Sequence, residues 1–316
     1  MDLLRHFADL GRYLGNREER EREDAAAAVD LAAHPGSGLP LERGLEIEWL
    51  GTAGYRITYE GRSLLIDPYL TRVPLSAVVR RQVVHADERL HDRYLSDAGD
   101  VAGILVGHTH FDHAIDVPAL ARRYGADAYG SSSLVQLMSL HGLRSQAVEV
   151  DPGRTYEIGP FAVRFVPSLH SKLILGYAVP SDGELTCEHL DALSPTAYRC
   201  GQVYGIHITA GATTLYHQGS ANLVDELVPT GGVDVFLAGV AGRRFTDRYW
   251  ERILRRLDPQ VVIASHYDDF FRPLAQSEQG FSLNVRLAAV PGEIAAVSSA
   301  ARVATLPPLM PVRGGG

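Results

Sequence analysis

Cysteine is scarce: Cys187 and Cys200 are the only two in 316 residues. No disulfide framework can be built from them, so a reducing cytoplasm is the expected location. Long apolar runs are lacking too, and no stretch approaches the roughly 20 residues of a membrane-spanning helix. The opening segment MDLLRHFADLGRYLGNREERERED has neither the apolar core nor the cleavage site of a secretory signal. Basic charge is in deficit, with 30 Lys and Arg against 38 Asp and Glu and a formal net charge of −8. An acidic chain is a poor electrostatic binder of nucleic acid, which demands a basic surface, so no nucleic-acid partner is expected. What remains is the composition of a soluble globular protein, 46% hydrophobic and 22% charged. Histidine is well represented, with 13 residues.

Hydrophobic periodicity divides the chain at a linker. Leu3, Leu4, Phe7, Leu10 and Leu14 recur at three- and four-residue spacing and predict a helix with one apolar stripe. A mixed-charge run, Arg17 to Asp24, continues it with a favourable Glu18–Arg22 pair. A surface helix packed on the body is the plain reading; the alternatives are a helix that makes a homo-oligomer or lies on a membrane surface. His34-Pro35-Gly36-Ser37-Gly38 ends it. The expected organisation is a helical extension and linker over 1–38 and one larger domain over 39–310.

From Leu45 the period becomes two. Leu45, Ile47 and Trp49, then Tyr55, Ile57 and Tyr59, then Leu64 to Ile66 predict a β-meander ending at Asp67-Pro68. A polar, helical excursion over 71–98 precedes a strand at Val101–Val106. Asp116 is placed to cap a helix carrying Pro118, and Ser131–Ser133 open another ending at Gly142. Further strands are predicted at 161–166, 203–208, 213–216, 233–237 and 261–264, with helices at 222–227 and 247–257. Residues 181–200 have neither period and read as a loop or lid. The C-terminal residues from Arg313 to Gly316 are expected to be loose. Strand runs alternating with helices predict a layered α/β protein with a β-sandwich inside and helices outside.

The chemistry concentrates at His108-Thr109-His110-Phe111-Asp112-His113, directly after the apolar strand. In extended backbone His108 and His110 point to one side and can grip one ion. A turn into the next helix brings Asp112 and His113 toward a neighbouring ion. Imidazole and carboxylate donors suit zinc, and also iron or manganese.

This HxHxDH run resembles the signature of the metallo-β-lactamase-fold hydrolases, and the order of the surrounding motifs agrees. Leu64-Leu65-Ile66-Asp67-Pro68 lies upstream; Val166-Pro167-Ser168-Leu169-His170-Ser171 and Ile263-Ala264-Ser265-His266-Tyr267-Asp268 lie downstream. The excursion at 71–98 and the His266-Tyr267 pair resemble the branch of ascorbate-lactonase-like and N-acyl-phosphatidylethanolamine phospholipase D-like proteins. The resemblance spans about residues 45–275. It implies a four-layer αββα sandwich and two metal sites, His108–His110–His170 and Asp112–His113–His266. Asp67 would hold the histidine loop by hydrogen bonds rather than ligate.

One position departs from the family pattern. Where most members carry a bridging aspartate after a glycine, Gly219 is followed by Ser220, a poor ligand whose plain role is to cap the helix expected at Asn222. His217 reads as a structural strand residue.

The expected function is a metal-dependent hydrolase in which one or two divalent ions, most simply zinc, activate water against an ester, lactone, amide or phosphodiester of small-molecule size. Asp112 would ligate and orient the nucleophile. Leaving-group protonation falls to water, with Tyr267 and His189 as alternative donors. Two rival functions are an iron-dependent oxygen-using enzyme of the same fold and, because of Ser220, a catalytically impaired binding protein. Cys187, Cys200 and His189 supply too few ligands for a structural zinc and read as mobile-loop groups. Arg243-Arg244 and Arg255-Arg256 read as surface charge.

Overall fold

The computed structural model describes residues 2–34, 37–173, 177–274, 280–283 and 285–314. Two helices, α1 (Asp2–Gly15) and α2 (Arg17–Asp30), precede a first run of strands: β1 (Glu46–Gly51), β2 (Gly54–Tyr59) and β3 (Arg62–Ile66). Then come α3 (Leu75–Val79), α4 (Glu88–Tyr94), β4 (Asp100–Leu105), α5 (Phe111–Ala114), α6 (Val117–Tyr124), β5 (Ala128–Gly130), α7 (Ser132–Leu140) and β6 (Ala147–Glu149). The second half holds β7 (Thr155–Ile158), β8 (Phe161–Ser168), β9 (Val203–Ala210), β10 (Thr213–Gln218), β11 (Val235–Gly239), α8 (Tyr249–Leu257) and β12 (Val261–Ser265). The chain ends with α9 (Val290–Ala295), β13 (Arg302–Ala304) and β14 (Val312–Arg313).

The strands form two seven-stranded sheets, β14-β1-β2-β3-β4-β5-β6 and β13-β12-β11-β10-β9-β8-β7. Alternation along each strand decides which layer a side chain joins. In β3, Leu64 and Ile66 enter the core between the sheets, while Leu65 joins a second core beneath the helices. In β4, Leu105 faces inward and Ile104 and Val106 face the helices. The opposite sheet does the same through α8, whose Ile253, Leu254 and Leu257 pack on it. The result is an α/β sandwich of helix, sheet, sheet and helix layers, as expected. Pairing is parallel from β3 through β4, and from β10 through β11 to β12. Because β8 and β10 are both antiparallel to β9, the C-terminal ends of β8, β10 and β12 share one edge.

Several local expectations are corrected. The C-terminal residues are not all loose: Val312–Arg313 pairs with β1, and Arg313 meets Glu46 at 2.8 Å; Gly315 and Gly316 lie outside the described residues. No helix forms over 222–227 beyond a 3-10 turn at Asp225–Leu227, because the Gln218 amide takes the carbonyls of Ser220 and Asn222. Asp116 does not cap α6 through its side chain. Its carboxylate instead accepts from Leu70 N–H at 2.7 Å, from both groups of Thr71, and from His91 Nε2 at 2.7 Å, anchoring the 71–98 excursion. That excursion contains only the two short helices α3 and α4.

On α1, Phe7 and Leu14 remain half exposed, Leu10 is partly buried and Tyr13 is buried; the side chains of Leu3 and Leu4 lie outside the described residues. Arg22 donates to the backbone carbonyl of Glu18 rather than pairing with its carboxylate. The attachment runs through α2, where the buried Asp24 accepts from Ala288 N–H at 2.8 Å. Of the linker, Pro35 and Gly36 lie outside the described residues. Arg243 is not surface charge: it is buried and paired bidentately with Glu293. Cys200 is buried at the base of the 181–200 loop, its carbonyl accepting from Thr109 N–H, while Cys187 donates to the carbonyl of His189. Among the described residues no helix is long and apolar enough to cross a membrane.

Candidate metal centre

The edge where the strands end gathers the histidines. His108–His113 follows β4, His170 follows β8, and His266 follows β12. Three ligand atoms from His108, His110 and His170 lie within 4.8 Å of one another, and the same holds for Asp112, His113 and His266. All six residues are buried. The groups adjoin, since the rings of His108 and His113 lie 3.8 Å apart. Residues up to 158 positions apart in the chain thus meet, His108 and His266 being the outermost.

Which nitrogen each imidazole offers is set by what its other nitrogen touches. His110 Nε2 lies 2.7 Å from the Pro180 carbonyl, His170 Nδ1 2.7 Å from the Ser171 carbonyl, and His113 Nδ1 2.9 Å from an Asp67 oxygen. A carbonyl or carboxylate can only accept, so the proton resides on those nitrogens. The lone pairs are therefore left on His110 Nδ1, His170 Nε2 and His113 Nε2. His110 Nδ1 stands 3.1 Å from His108 Nε2, and His113 Nε2 3.8 Å from Asp112 Oδ2. His266 Nε2 faces the same Asp112 oxygen at 3.5 Å. Three independently fixed tautomers aim their free electron pairs into the two groups, which is the arrangement a cation needs.

Electrostatics agree. Burial first, then the neighbouring histidines, pushes His108 well down and His170 down to about 3. Both are neutral at physiological pH and available as donors. Burial pushes Asp112 up, but His113 and His266 outweigh it and hold the carboxyl below its usual range. For His113 the cost of burial is outweighed by Asp67 and Asp112, and its value rises.

Asp67 is fully buried, and its second oxygen accepts from Gly107 N–H at 2.7 Å. The carboxylate thus fixes both His113 and the backbone entering the histidine run. Gly219 makes room for it: a Cβ there would approach Asp67 Oδ2 to 2.8 Å. Ser220 turns away from a bridging position. Its hydroxyl accepts from Ser171 N–H at 3.1 Å, the residue whose carbonyl orients His170. Since no helix follows, Ser220 is not an N-cap. His217 is fully buried and held by the Ala53 carbonyl at 2.9 Å. Tyr267 is directed into the core, 4.9 Å from the Trp49 ring and stacked on Phe281, and cannot serve as an acid at the site. His189 is exposed on the 181–200 loop.

Two features escape any reading of local sequence. Arg72 and Asp268 form a buried ion pair at 2.8 Å, and Asp268 accepts from Thr52 N–H with both oxygens at 3.0 and 3.1 Å. The only local signal is Gly51, where a Cβ would collide with Arg72 Nη2. The rings of Phe111, Phe270 and Phe271 form a partly buried wall reaching the His266 ring, with Phe270 5.6 Å from it and 4.2 Å from Phe271.

The beta-lactamase superfamily domain model matches residues 46–266. A "UPF0173 metal-dependent hydrolase" of Carboxydothermus hydrogenoformans is 28% identical over 228 residues, 71% of this chain and 85% of that protein. Among solved structures, the metallo-beta-lactamase fold protein YhfI of Bacillus subtilis is similar with a TM-score of 0.53 at 15% identity, covering 85% of this chain and 99% of that one. The diiron beta-hydroxylase CmlA of Streptomyces venezuelae is similar with a TM-score of 0.54 at 15% identity, covering 87% of this chain and 55% of that one. At these identities the two structures speak to the fold alone.

Proposed function

Because the chain belongs to the beta-lactamase superfamily, we propose that it is a metal-dependent hydrolase holding two divalent ions in the groups His108–His110–His170 and Asp112–His113–His266. The observation that carries this is the set of fixed tautomers: each anchored imidazole keeps its proton away from the group and its lone pair toward it. The naming of relatives as metal-dependent hydrolases supports the reading. Bound metals, most simply zinc, supply a water acidic enough to attack at neutral pH and polarise the substrate oxygen under attack. Asp112 is the one carboxylate among the six; it would help to hold a cation in its group and could accept a hydrogen bond from the attacking water. Asp67 keeps His113 in one tautomer throughout. Tyr267 is directed into the core and His189 is exposed on the 181–200 loop, and the leaving group would take its proton from water.

The wall of Phe111, Phe270 and Phe271 beside His266 favours substrates with an apolar group next to the cleaved bond. Esters and lactones carrying such a group are the first substrates to test, with amides and phosphodiesters carrying the same group beside them. The test is metal analysis of protein purified without chelator, with a panel of esters, lactones, amides and phosphodiesters turned over by wild type and His110→Ala. Expected are near two equivalents of zinc or manganese, hydrolysis of apolar esters or lactones, and a loss in His110→Ala beyond the roughly 10–100-fold that a lost supporting hydrogen bond costs. Bound iron with oxygen uptake, or folded protein without metal or turnover, would overturn the reading in favour of an oxygen-using enzyme or a binding protein.

A further inference from the structure

His266 sits in a conformation uncommon for any residue but glycine, with φ at 56°, in the left-handed region. Something must hold it there. Its backbone N–H donates to the Thr52 carbonyl at 2.8 Å, and Thr52 is itself left-handed, with φ at 51°. The Thr52 carbonyl also accepts from Trp49 Nε1 at 3.0 Å. The Thr52 N–H in turn is bound by the Asp268 carboxylate, and Arg72 Nη1 reaches both Asp268 Oδ2 at 2.8 Å and Thr52 Oγ1 at 3.2 Å. The side chains of Arg72 and Asp268 are 3% and 1% exposed. Arg72 lies five residues after Asp67, on the loop whose carboxylate fixes His113.

The ion pair therefore ties the loop that orients His113 to the loop that carries His266, two of the three members of one candidate metal group. Of the first group, His110 and His170 are anchored instead through the carbonyls of Pro180 and Ser171. We infer that Arg72 and Asp268 are positioning residues for the second group alone: through Thr52 they hold His266 in its strained backbone and set its separation from His113. This rests on the reading that the two groups bind metal. The cost of burying a charged pair is then offset by a geometry that a packed apolar contact would not specify.

The experiment is a zinc titration with chelator competition on the full chain, alongside absorption spectra of the cobalt-substituted protein and thermal melts of the metal-free form. Wild type is expected to bind two equivalents. Arg72→Met and Asp268→Asn should bind one equivalent as wild type does and the other about 10–100-fold more weakly, the range for lost supporting partners of metal ligands. The cobalt band of the second equivalent should shift, and Arg72→Lys should recover part of the affinity. Where a single substitution prevents folding, the double variant Arg72→Met/Asp268→Leu replaces the pair by apolar side chains, a change that buried pairs often tolerate. It should fold and still bind the second equivalent weakly. Wild-type affinity for the second equivalent in any folded variant lacking the pair, or equal weakening of both equivalents, would overturn the inference. Wild type taking up no metal would overturn the functional reading as well, whereas two equivalents in wild type and variants alike would overturn the positioning role only.

Discussion

Replacing Asp67 by asparagine separates the charge and hydrogen-bond pattern of the carboxylate from its shape. Asparagine keeps the volume and tolerates the left-handed backbone at this position, where φ is 42°, so backbone strain does not confound the result. The carboxylate accepts from two donors, Gly107 N–H at 2.7 Å and His113 Nδ1 at 2.9 Å. The amide has one accepting end. If its oxygen stays with Gly107, the NH2 faces Nδ1; the imidazole must then move its proton to Nε2, which points at Asp112 and His266. If the amide turns over, the buried Gly107 N–H faces another donor and loses its acceptor, at about 1–3 kcal/mol. Either outcome weakens the second metal group, by about 10–100-fold in affinity, equivalent to about 1.4–2.7 kcal/mol. Asp67→Ala orphans both donors and should cost about 2–6 kcal/mol in stability, twice the single-donor figure. The measurements are zinc competition for Asp67→Asn, denaturant unfolding for both variants, and 15N spectra of the His113 ring. An Asp67→Asn protein that binds both equivalents within twofold of wild type, with its His113 tautomer unchanged, would refute the reasoning.

The remaining predictions concern the other anchors. Ser220→Ala removes the acceptor of the buried Ser171 N–H, so stability should fall by about 1–3 kcal/mol and the first zinc equivalent should weaken while the second is retained; competition titration checks this. Arg243→Met breaks the pair with Glu293 and the hydrogen bond to the Val285 carbonyl at 2.6 Å. With Glu293 one-third exposed, the loss should lie at the low end of the buried-pair range, about 3 kcal/mol, read by denaturant melts. Burial pushes the Asp24 carboxyl up, its bond from Ala288 and the charge of Arg243 only partly opposing this. A folded value above the unfolded one means that the native state holds the extra proton, so stability falls as pH rises from the unfolded value, about 3.9, through the folded one. Asp24→Asn lacks this term, and its melting temperature relative to wild type should climb between pH 4 and 7; a constant difference would contradict it.

The sequence speaks clearly where the information is local. Alternation in Leu64 to Ile66 announces a strand with two apolar faces, and the structure uses both. The HxHxDH run carries four of the six converging side chains within six positions. His170 and His266 are legible because each follows an apolar strand, and β8 and β12 run in the same direction, which brings their ends to one edge. Residues whose partners are far away in the chain do not announce themselves. Asp116 has the spacing of a cap, but its acceptor capacity goes to Thr71 and His91. Arg243 stands in a basic pair and is buried nonetheless, because Glu293, fifty positions later, meets it. Arg72 and Asp268 are 196 positions apart, and each alone is an ordinary loop charge.

Ser220 draws these strands together. A bridging carboxylate would bind both metal groups to one side chain and fix their separation directly. With serine there, and its hydroxyl turned to Ser171, each group must be held from its own periphery. The first relies on backbone carbonyls, Pro180 for His110 and Ser171 for His170, and the second on buried carboxylates, Asp67 for His113 and Asp268 through Thr52 for His266. The anchors of one group can therefore be removed without touching those of the other: Ser220→Ala acts on the first through Ser171, and Asp67→Asn on the second through His113. Zinc titrations that resolve the two equivalents check this division. Equal weakening of both equivalents in either variant would mean that the groups are coupled by something other than the anchors described.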